Sequence, residues 1–328
     1  MLTVDFAHFN LEKLTDGIVY EDFIGFYKNV CLSDQLIGEC MKINQELEEG
    51  LGYVLLRNCY NGDDLKKARK ILIYICKYFG WPVSQTRNLK FMEEVTHEEN
   101  NNNITAKIGY KSRSSMPFHT DRCDRNILFC FNKSLTGGVT HVVNSVQLYN
   151  KLLNALDGRL IQILGEKFPF DRHGEIYHNE LPWYDAKIFY PTDTAATFVA
   201  HFIRYFIDSI LDSREYKNDE LIMEKIKLLD AIDSAFMDKD IGADVQLEKG
   251  DMLIMNSHLS HHARQHYADD SIDSKRLLLR VWLAHKESRK LPEDFSHIFH
   301  DVNAGAYRGG IWPDSSSRNF HMKEFAGK

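Results

Sequence analysis

Two metal-binding side chains lie two residues apart in the segment 116–124, which reads MPFHTDRCD. They are His119 and Asp121. Residues i and i+2 of an extended segment project from the same face, so this imidazole and this carboxylate can reach one cation together. Such H-x-D triplets also arise by chance, and a metal site needs at least one more ligand. The triplet therefore predicts two of the ligands of a metal site.

The missing ligand has several candidates in a histidine-rich segment that follows an apolar run: His258, His261, His262 and His266. One histidine added to the H-x-D pair makes a two-His-one-carboxylate set, which leaves positions on Fe(II) open for a co-substrate and O2. The alternative for any single one of them is a polar loop residue or a hydrogen-bonded structural histidine. The residues alone do not select among the four.

Arg276 and Arg280 follow the histidine cluster on an apolar segment. A 2-oxo acid bound to iron has a distal carboxylate, and arginine is suited to bidentate carboxylate recognition. Residues four apart on a strand share a face, and two inward guanidinium groups need anionic partners. Alternatively, one of them faces solvent or pairs with a core carboxylate.

The chain resembles the TauD/TfdA group of Fe(II)/2-oxoglutarate-dependent dioxygenases, in the clavaminate-synthase-like superfamily. The resemblance extends from about Gly52 to Ala284, and several ordered motifs together are far more specific than one. These motifs are the F-H-T-D of 118–121, the T-G-G-V-T of 136–140, the G-D…N of 250–256, the H-A-R of 262–264 and the R-L-L-L-R of 276–280.

The resemblance implies which residues bind iron: His119, Asp121 and His262. His262 stands in the family's H-x-R frame, at an interval before Arg276 that the family tolerates. Arg276 and the Thr140 hydroxyl are then expected to hold the distal carboxylate of 2-oxoglutarate. Arg280 is expected to face the substrate or to assist the co-substrate.

The resemblance also implies the fold, the cofactors and the reaction. We expect a mainly β protein with flanking helices, built as a double-stranded β-helix, or jelly roll. One domain would fill 1–328, with a mixed α/β part at 1–105, the iron-binding core at 106–290 and a tail at 291–328. With Fe(II), 2-oxoglutarate and O2, the enzyme would oxidise, and most simply hydroxylate, an aliphatic C–H bond, releasing succinate and CO2.

Sequence periodicity predicts the main elements. We expect a helix beginning after a Ser33 cap, a helix capped by Ser145, and two strands separated by the turn 136–138. Further helices are predicted at 63–79 and 219–236, and further strands at 52–57, 251–255 and 277–283.

Composition limits the partners and the location. The net charge of −7 has the wrong sign for a protein that binds by neutralising phosphates, so nucleic acid is not expected. Apolar runs are too short for a membrane span. The six cysteines are scattered, which predicts reduced thiols and a cytoplasmic location. We expect a small-molecule substrate such as an amino acid, a sulfonate or a biosynthetic intermediate, and the acidic pI of about 6.1 is compatible with a homodimer.

Two other functions are compatible with parts of the sequence. A zinc hydrolase could use His258 and His262, which would share a face if that segment were helical. Leu259 follows His258, however, where a zincin has its glutamate. The other alternative is a non-catalytic jelly-roll binding protein.

Overall fold

The computed structural model describes most of the chain, namely residues 1–98, 109, 111–173, 180–212, 220–269 and 275–327. Its strands are, in chain order, β1 Leu2–Asp5, β2 Tyr53–Arg57, β3 Trp81–Val83, β4 Glu93–Val95, β5 Met116–His119, β6 Arg125–Asn132, β7 Thr136–Gly137, β8 Thr140–Asn144, β9 Lys167–Asp171, β10 Trp183–Lys187, β11 Phe189–Tyr190, β12 Val199–Ala200, β13 Gly242–Val245, β14 Met252–Asn256, β15 Ser260–Arg264, β16 Tyr267–Ala268 and β17 Leu277–Ala284.

Two sheets form the centre of the molecule. The larger has seven strands in the order β1-β2-β14-β6-β17-β3, with β4 also paired to β17, and the smaller has the order β13-β8-β15-β5. A buried apolar cluster with members from both sheets, including Leu128, Val142 and Leu278, lies between them. This arrangement confirms the expected jelly roll.

Helices cover the outer faces of the two sheets. They are α1 Leu11–Thr15, α2 Phe23–Asn29, α3 Asp34–Glu49, α4 Leu65–Phe79, α5 Ser145–Ala155, α6 Gly158–Leu164, α7 Arg204–Leu211, α8 Glu220–Phe236, α9 Ser296–Phe299 and α10 Ser315–Ala326, with a 3₁₀ turn at Glu293–Phe295. Helices α2, α3 and α4 pack with outward residues of the larger sheet. Helices α5 to α8 form a second core with β9 to β12, next to the smaller sheet.

Strand β17 shows why an uninterrupted apolar run becomes a strand here. Leu279, Val281 and Leu283 join the core under the helices, whereas Leu278 points between the sheets. Both faces are buried, so the run reads as continuously apolar instead of alternating. Arg276 and Arg280 share the parity of Leu278, and both are buried. The alternative that one of them faces solvent is therefore wrong.

Most predicted elements form, with two differences. Ser33 caps α3 as expected. The cap of α5 is Asn144, whose side chain accepts from the Gln147 N–H, while the Ser145 hydroxyl bonds to His261 Nδ1 at 3.0 Å. The two strands on either side of the turn at 136–138 do not pair with each other, because β6 lies in the larger sheet and β8 in the smaller. Asp219, the predicted start of α8, lies outside the described residues.

Strands from before residue 105 are part of the larger sheet. β2 pairs with β14, and β3 and β4 pair with β17. The division of one domain into 1–105, 106–290 and 291–328 stays a prediction.

A buried ion cluster joins α3 to the sheet and to the segment after β17. Glu48 Oε1 lies 2.9 Å from Arg125 Nη2, and Glu48 Oε2 lies 2.6 Å from Arg289 Nη2. Burial raises the pKa of Glu48, but the two guanidinium groups outweigh burial and lower the pKa to about 2. The folded state therefore favours the carboxylate.

We expect Glu48→Gln to lower the free energy of unfolding at pH 7 by an amount on the order of 3 kcal/mol. Because the folded pKa lies below the unfolded one, this contribution is complete above about pH 4.5. It disappears as the pH falls towards 2. Urea unfolding of both proteins from pH 7 to pH 3 measures it, and a pH-independent difference would contradict the electrostatic explanation.

Candidate iron site

The side chains of the H-x-D pair meet one histidine of the cluster across two adjacent strands. β15 runs antiparallel to β5, and His262 is the register partner of His119. One ligand atom from each of His119, Asp121 and His262 lies within 4.8 Å of the other two. His262 Nε2 is 3.6 Å from Asp121 Oδ2. This donor set fits a divalent iron.

Neighbouring groups orient these side chains. His119 Nδ1 lies 2.9 Å from the Pro117 carbonyl oxygen, to which it can donate a hydrogen bond, and this leaves Nε2 for a metal. The Asn126 amide donates to Asp121 Oδ2 at 2.6 Å. Burial and the nearby His119 lower the pKa of His262 to about 3, so its ring is neutral, as metal binding requires.

The other histidines of the cluster have different environments. His261 points away from the pair, and its ring packs against Phe202 and Phe236. His258 Nε2 lies 2.8 Å from Asp124 Oδ1, which also accepts from Arg308. His266 is exposed.

The segment 260–264 is a strand. The helical face that a zinc site at His258 and His262 would need is therefore absent from this described segment. That premise of the hydrolase alternative is wrong.

Two buried guanidinium groups lie near the end of β15. The Cζ atoms of Arg264 and Arg276 are 5.3 and 4.9 Å from the centre of the Tyr267 ring. Arg264 Nη2 donates to the carbonyl oxygens of Ser112 and Ser114, each at 2.6 Å. Arg264 Nε and Nη1 and Arg276 Nη1 have no hydrogen-bond partner among the described residues.

These N–H groups indicate a site for an anion. Unsatisfied buried donors are costly, and a buried carboxylate would satisfy several of them at once. Burial and the charge of Arg276 lower the pKa of Arg264 to about 10, which shows the cost of holding two cations together. Thr140 is buried and is the register partner of Arg264 on β8. The residues present therefore fit the distal carboxylate of a 2-oxo acid.

The turn before β8 allows this close packing. Gly138 has φ +74°, and a Cβ there would lie 2.8 Å from Ser134 Oγ and 3.3 Å from Arg276 Nε. A Cβ at this position would force Ser134 Oγ to move and would push Arg276 Nε away by a few tenths of an ångström. The glycine is thus required by both the backbone conformation and the anion site.

We expect Gly138→Ala to raise the Kd for 2-oxoglutarate by about tenfold, equivalent to about 1.4 kcal/mol. It should leave the affinity for Fe(II) within about twofold, since the side chains nearest to Gly138 are those of Ser134, Arg276 and Tyr267 and not those of the candidate metal ligands. Anaerobic titrations measure both constants, with Gly165→Ala as a control in an ordinary turn. Equal losses of both affinities would instead indicate general misfolding.

Arg280 lines the same cavity as His119 and Asp121, which with His262 form the candidate metal-binding cluster. The cavity has a volume of about 430 Å³, and its walls include His119, Asp121, Trp282 and segment 203–206. Arg280 Nε donates to Gln85 Oε1 at 2.7 Å, and its Cζ lies 4.9 Å from the Trp282 ring centre. The guanidinium is thereby fixed beside the cavity.

Some functional residues could not be chosen from the sequence. No sequence pattern singled out Asn126 or Arg264 as a site residue, although Arg264 is the arginine of the H-x-R motif. The side-chain amide of Asn256, the asparagine of the G-D…N motif, donates to the Leu47 carbonyl oxygen and accepts from the His258 N–H, so it does not contact His262 by these bonds.

Comparison with known proteins identifies the family. The family model described as "Taurine catabolism dioxygenase TauD, TfdA family" matches residues 30–282. The chain belongs to this family. FR-33289 synthase of Streptomyces rubellomurinus (strain ATCC 31215) is 26% identical over 268 residues, which cover 80% of this chain and 76% of that protein.

Solved structures of non-heme iron oxygenases have the same fold. OrfP, in complex with Fe and alpha-ketoglutaric acid, has a TM-score of 0.61 at 13% identity, covering 86% of this chain and 94% of that one. Asparagine oxygenase, in complex with Fe(II), 2S,3S-3-hydroxyasparagine and succinate, has a TM-score of 0.58 at 12% identity, covering 87% and 94%.

Membership of the TauD/TfdA family gives the enzyme class and its cofactors. The chain is an Fe(II)- and 2-oxoglutarate-dependent dioxygenase, an oxidoreductase that uses O2 and acts on a small substrate. In the part of the chain that the structure describes, no helix is both long and apolar enough to span a bilayer.

Proposed function

We propose that His119, Asp121 and His262 bind the catalytic Fe(II) of this dioxygenase. The observation that carries the proposal is the convergence of two imidazoles and one carboxylate from β5, the residues just after it, and β15. The metal-binding cluster borders a cavity, so a substrate can approach it. Three protein ligands leave positions open for other donors.

The co-substrate is held, in this proposal, by Arg276, Arg264 and Thr140 at its distal carboxylate. The unsatisfied N–H groups of the two arginines support this assignment. When bound, Fe(II) would let O2 take two electrons from 2-oxoglutarate, which is released as succinate and CO2, and two electrons from a substrate C–H bond, which is thereby hydroxylated. The protein contributes orientation: Asn126 holds Asp121, Pro117 holds His119, and the apolar walls limit access of water.

The substrate is proposed to be a small anionic or zwitterionic molecule, and the reaction hydroxylation. Arg122 and Arg280 line the cavity, whereas Asp121 is the one carboxylate among its described lining residues. Arg204 lines the cavity too, but its guanidinium is paired with Asp208, Asp230 and Asp233. Such a lining favours an anionic group through its field and through bidentate contacts. Amino acids and sulfonates of suitable size meet this description.

The decisive experiment for the iron site is an anaerobic titration of the purified protein with Fe(II) and 2-oxoglutarate. We expect a weak visible metal-to-ligand charge-transfer band that saturates at one iron per chain. Tight zinc binding without this band would mean that these three residues do not form the catalytic iron site, and so would a complete absence of metal binding. Either result would overturn the proposal.

The substrate class is tested by 2-oxoglutarate turnover in the presence of small molecules. The panel contains L-arginine, L-asparagine and an aliphatic sulfonate, with a neutral analogue of each. We expect anionic or zwitterionic members to stimulate succinate formation more than their neutral analogues. Arg280→Met should weaken that preference, and an unchanged preference would contradict a role for Arg280 in substrate binding.

The cytoplasmic location and the homodimer are also proposals. The six free cysteines support a reducing compartment. The negative net charge supports the absence of a nucleic-acid partner. Light scattering of the purified protein tests for the dimer.

A further inference from the structure

His201 is a buried histidine that lies beside the segment carrying the H-x-D residues. His201 is 1% exposed, and its ring packs against Phe170 and Phe295. Its Nδ1 lies 3.0 Å from Thr120 Oγ1, and its Nε2 lies 2.8 Å from the Tyr184 hydroxyl. Thr120 stands between the H-x-D residues. Thr120, the residue between two proposed metal ligands, therefore makes a fully buried hydrogen bond with His201.

The His201 ring is neutral and uses both nitrogens. Burial and the charge of Arg122 lower its pKa to about 3. A neutral imidazole has one N–H donor and one acceptor nitrogen. The hydroxyls of Thr120 and Tyr184 can each donate or accept, so both bonds form in either tautomer. Such a connected buried network fixes side-chain positions more strongly than separate bonds do.

The backbone beside His201 is also joined to the metal-binding segment. The Thr120 N–H donates to the Phe202 carbonyl at 3.0 Å, and the Phe202 N–H donates to Thr120 Oγ1 at 3.2 Å. Ile203 forms an isolated antiparallel bridge with His119. Residues 201–203 therefore act as an added edge on the segment that carries both ligands.

The same segment continues directly into the wall of the cavity. Ile203, Arg204, Tyr205 and Phe206 line it together with His119 and Asp121. Hydrogen bonds of Phe202 and of the His201 ring connect this wall to Thr120. The wall of the cavity is thus hydrogen-bonded, through residues 201–203, to the segment that carries His119 and Asp121.

We infer that His201 is a positioning residue that holds the H-T-D segment in its metal-binding geometry and couples it to the cavity wall at 203–206. The inference rests on the proposed iron site. His201 does not touch the iron, the co-substrate or the substrate. It acts through Thr120, and Tyr184 fixes the far side of its ring. Residues that hydrogen-bond a metal ligand directly change metal affinity by about 10–100-fold when they are mutated, and His201, which acts through Thr120, is expected at the lower end of that range.

The test compares His201→Phe, Thr120→Val and the double variant by anaerobic Fe(II) titration in the presence of 2-oxoglutarate. Phenylalanine keeps the ring packing against Phe170 and Phe295 but removes both hydrogen bonds. We expect each single variant to raise the Kd for Fe(II) about tenfold or more and to shift the charge-transfer band. The losses in the double variant should be smaller than the product of the two single losses, because the His201–Thr120 contact is removed by both substitutions.

Two further variants separate positioning from folding. His201→Asn, which can still reach Thr120, should restore part of the affinity, and Tyr184→Phe should cause a smaller loss than His201→Phe. His321→Gln alters another buried histidine, in the contact between α10 and Phe91, and should stay within about twofold of the wild type. Thermal unfolding confirms that each compared variant is folded.

The outcomes distinguish this inference from the proposed function. If the wild type binds no Fe(II), the iron site itself is wrong. If the wild type binds Fe(II) but His201→Phe and Tyr184→Phe bind it equally well with an unshifted band, only the role of His201 is wrong. Multiplying losses in the double variant would likewise overturn the coupling between His201 and Thr120.

Discussion

Asp121→Ala is expected to abolish Fe(II)-dependent succinate formation. Asp121 is the carboxylate of the proposed ligand set, and without it two neutral imidazoles would face a divalent cation with no anionic donor. The loss should exceed the roughly 10–100-fold change typical of residues that only orient a ligand. Succinate release under saturating 2-oxoglutarate and the anaerobic charge-transfer band measure the effect.

The histidine cluster supplies matched variants for this experiment. His262→Ala should behave like Asp121→Ala, because His262 is the register partner of His119. His266→Ala removes an exposed histidine four residues later and should keep nearly full activity. If the Asp121→Ala variant formed succinate at the wild-type rate, the proposed ligand set would be wrong. A strong loss in His266→Ala would mean that the wrong histidine has been chosen.

Arg276→Ala is expected to raise the Kd for 2-oxoglutarate by roughly 30-fold or more. Truncating one partner of a buried, hydrogen-bonded charge pair costs about 2–5 kcal/mol, and about 1.4 kcal/mol corresponds to a tenfold change. Arg276 is 3% exposed and holds an unsatisfied Nη1, so an incoming carboxylate would gain a charge-assisted bond there. Titration of the Fe(II)-loaded protein measures the change.

Two comparisons show whether the guanidinium geometry matters. Arg276→Lys keeps the charge without the planar fork and should recover only part of the affinity. Arg113→Ala removes a more exposed arginine that lies 3.5 Å from Asp269 and should have less than about a threefold effect. If Arg276→Ala bound 2-oxoglutarate as the wild type does, the distal carboxylate would have to lie elsewhere. A large effect of Arg113→Ala would move the anion site towards segment 112–114.

The sequence by itself determined the family, the class of fold and the residues that could be metal ligands. Three local patterns carried this information: the H-T-D motif, the double glycine and the two arginines four residues apart. The chemical role of each can be explained without knowing the three-dimensional structure. The helix starting after Ser33 and the strand at 277–284 were also predictable, because their caps and apolar runs are local.

Only the tertiary structure decided which histidine meets the H-x-D pair on geometric grounds. His261 and His262 are neighbours in sequence, but adjacent residues of a strand point to opposite faces. The pairing of β15 with β5 directs His262 inward and leaves His261 among aromatic side chains. A change of register by one residue would exchange their roles.

The tertiary structure also supplied the contacts between distant residues. Asn126 reaches Asp121 because β6 follows the motif in the opposite sheet, and Arg264 shares the Tyr267 ring with Arg276. His201 reaches Thr120 across 81 residues of sequence. No local pattern encodes such pairs, because each depends on how the sheets and the covering segments pack. The sequence determined the chemical groups, and packing decided which of them touch.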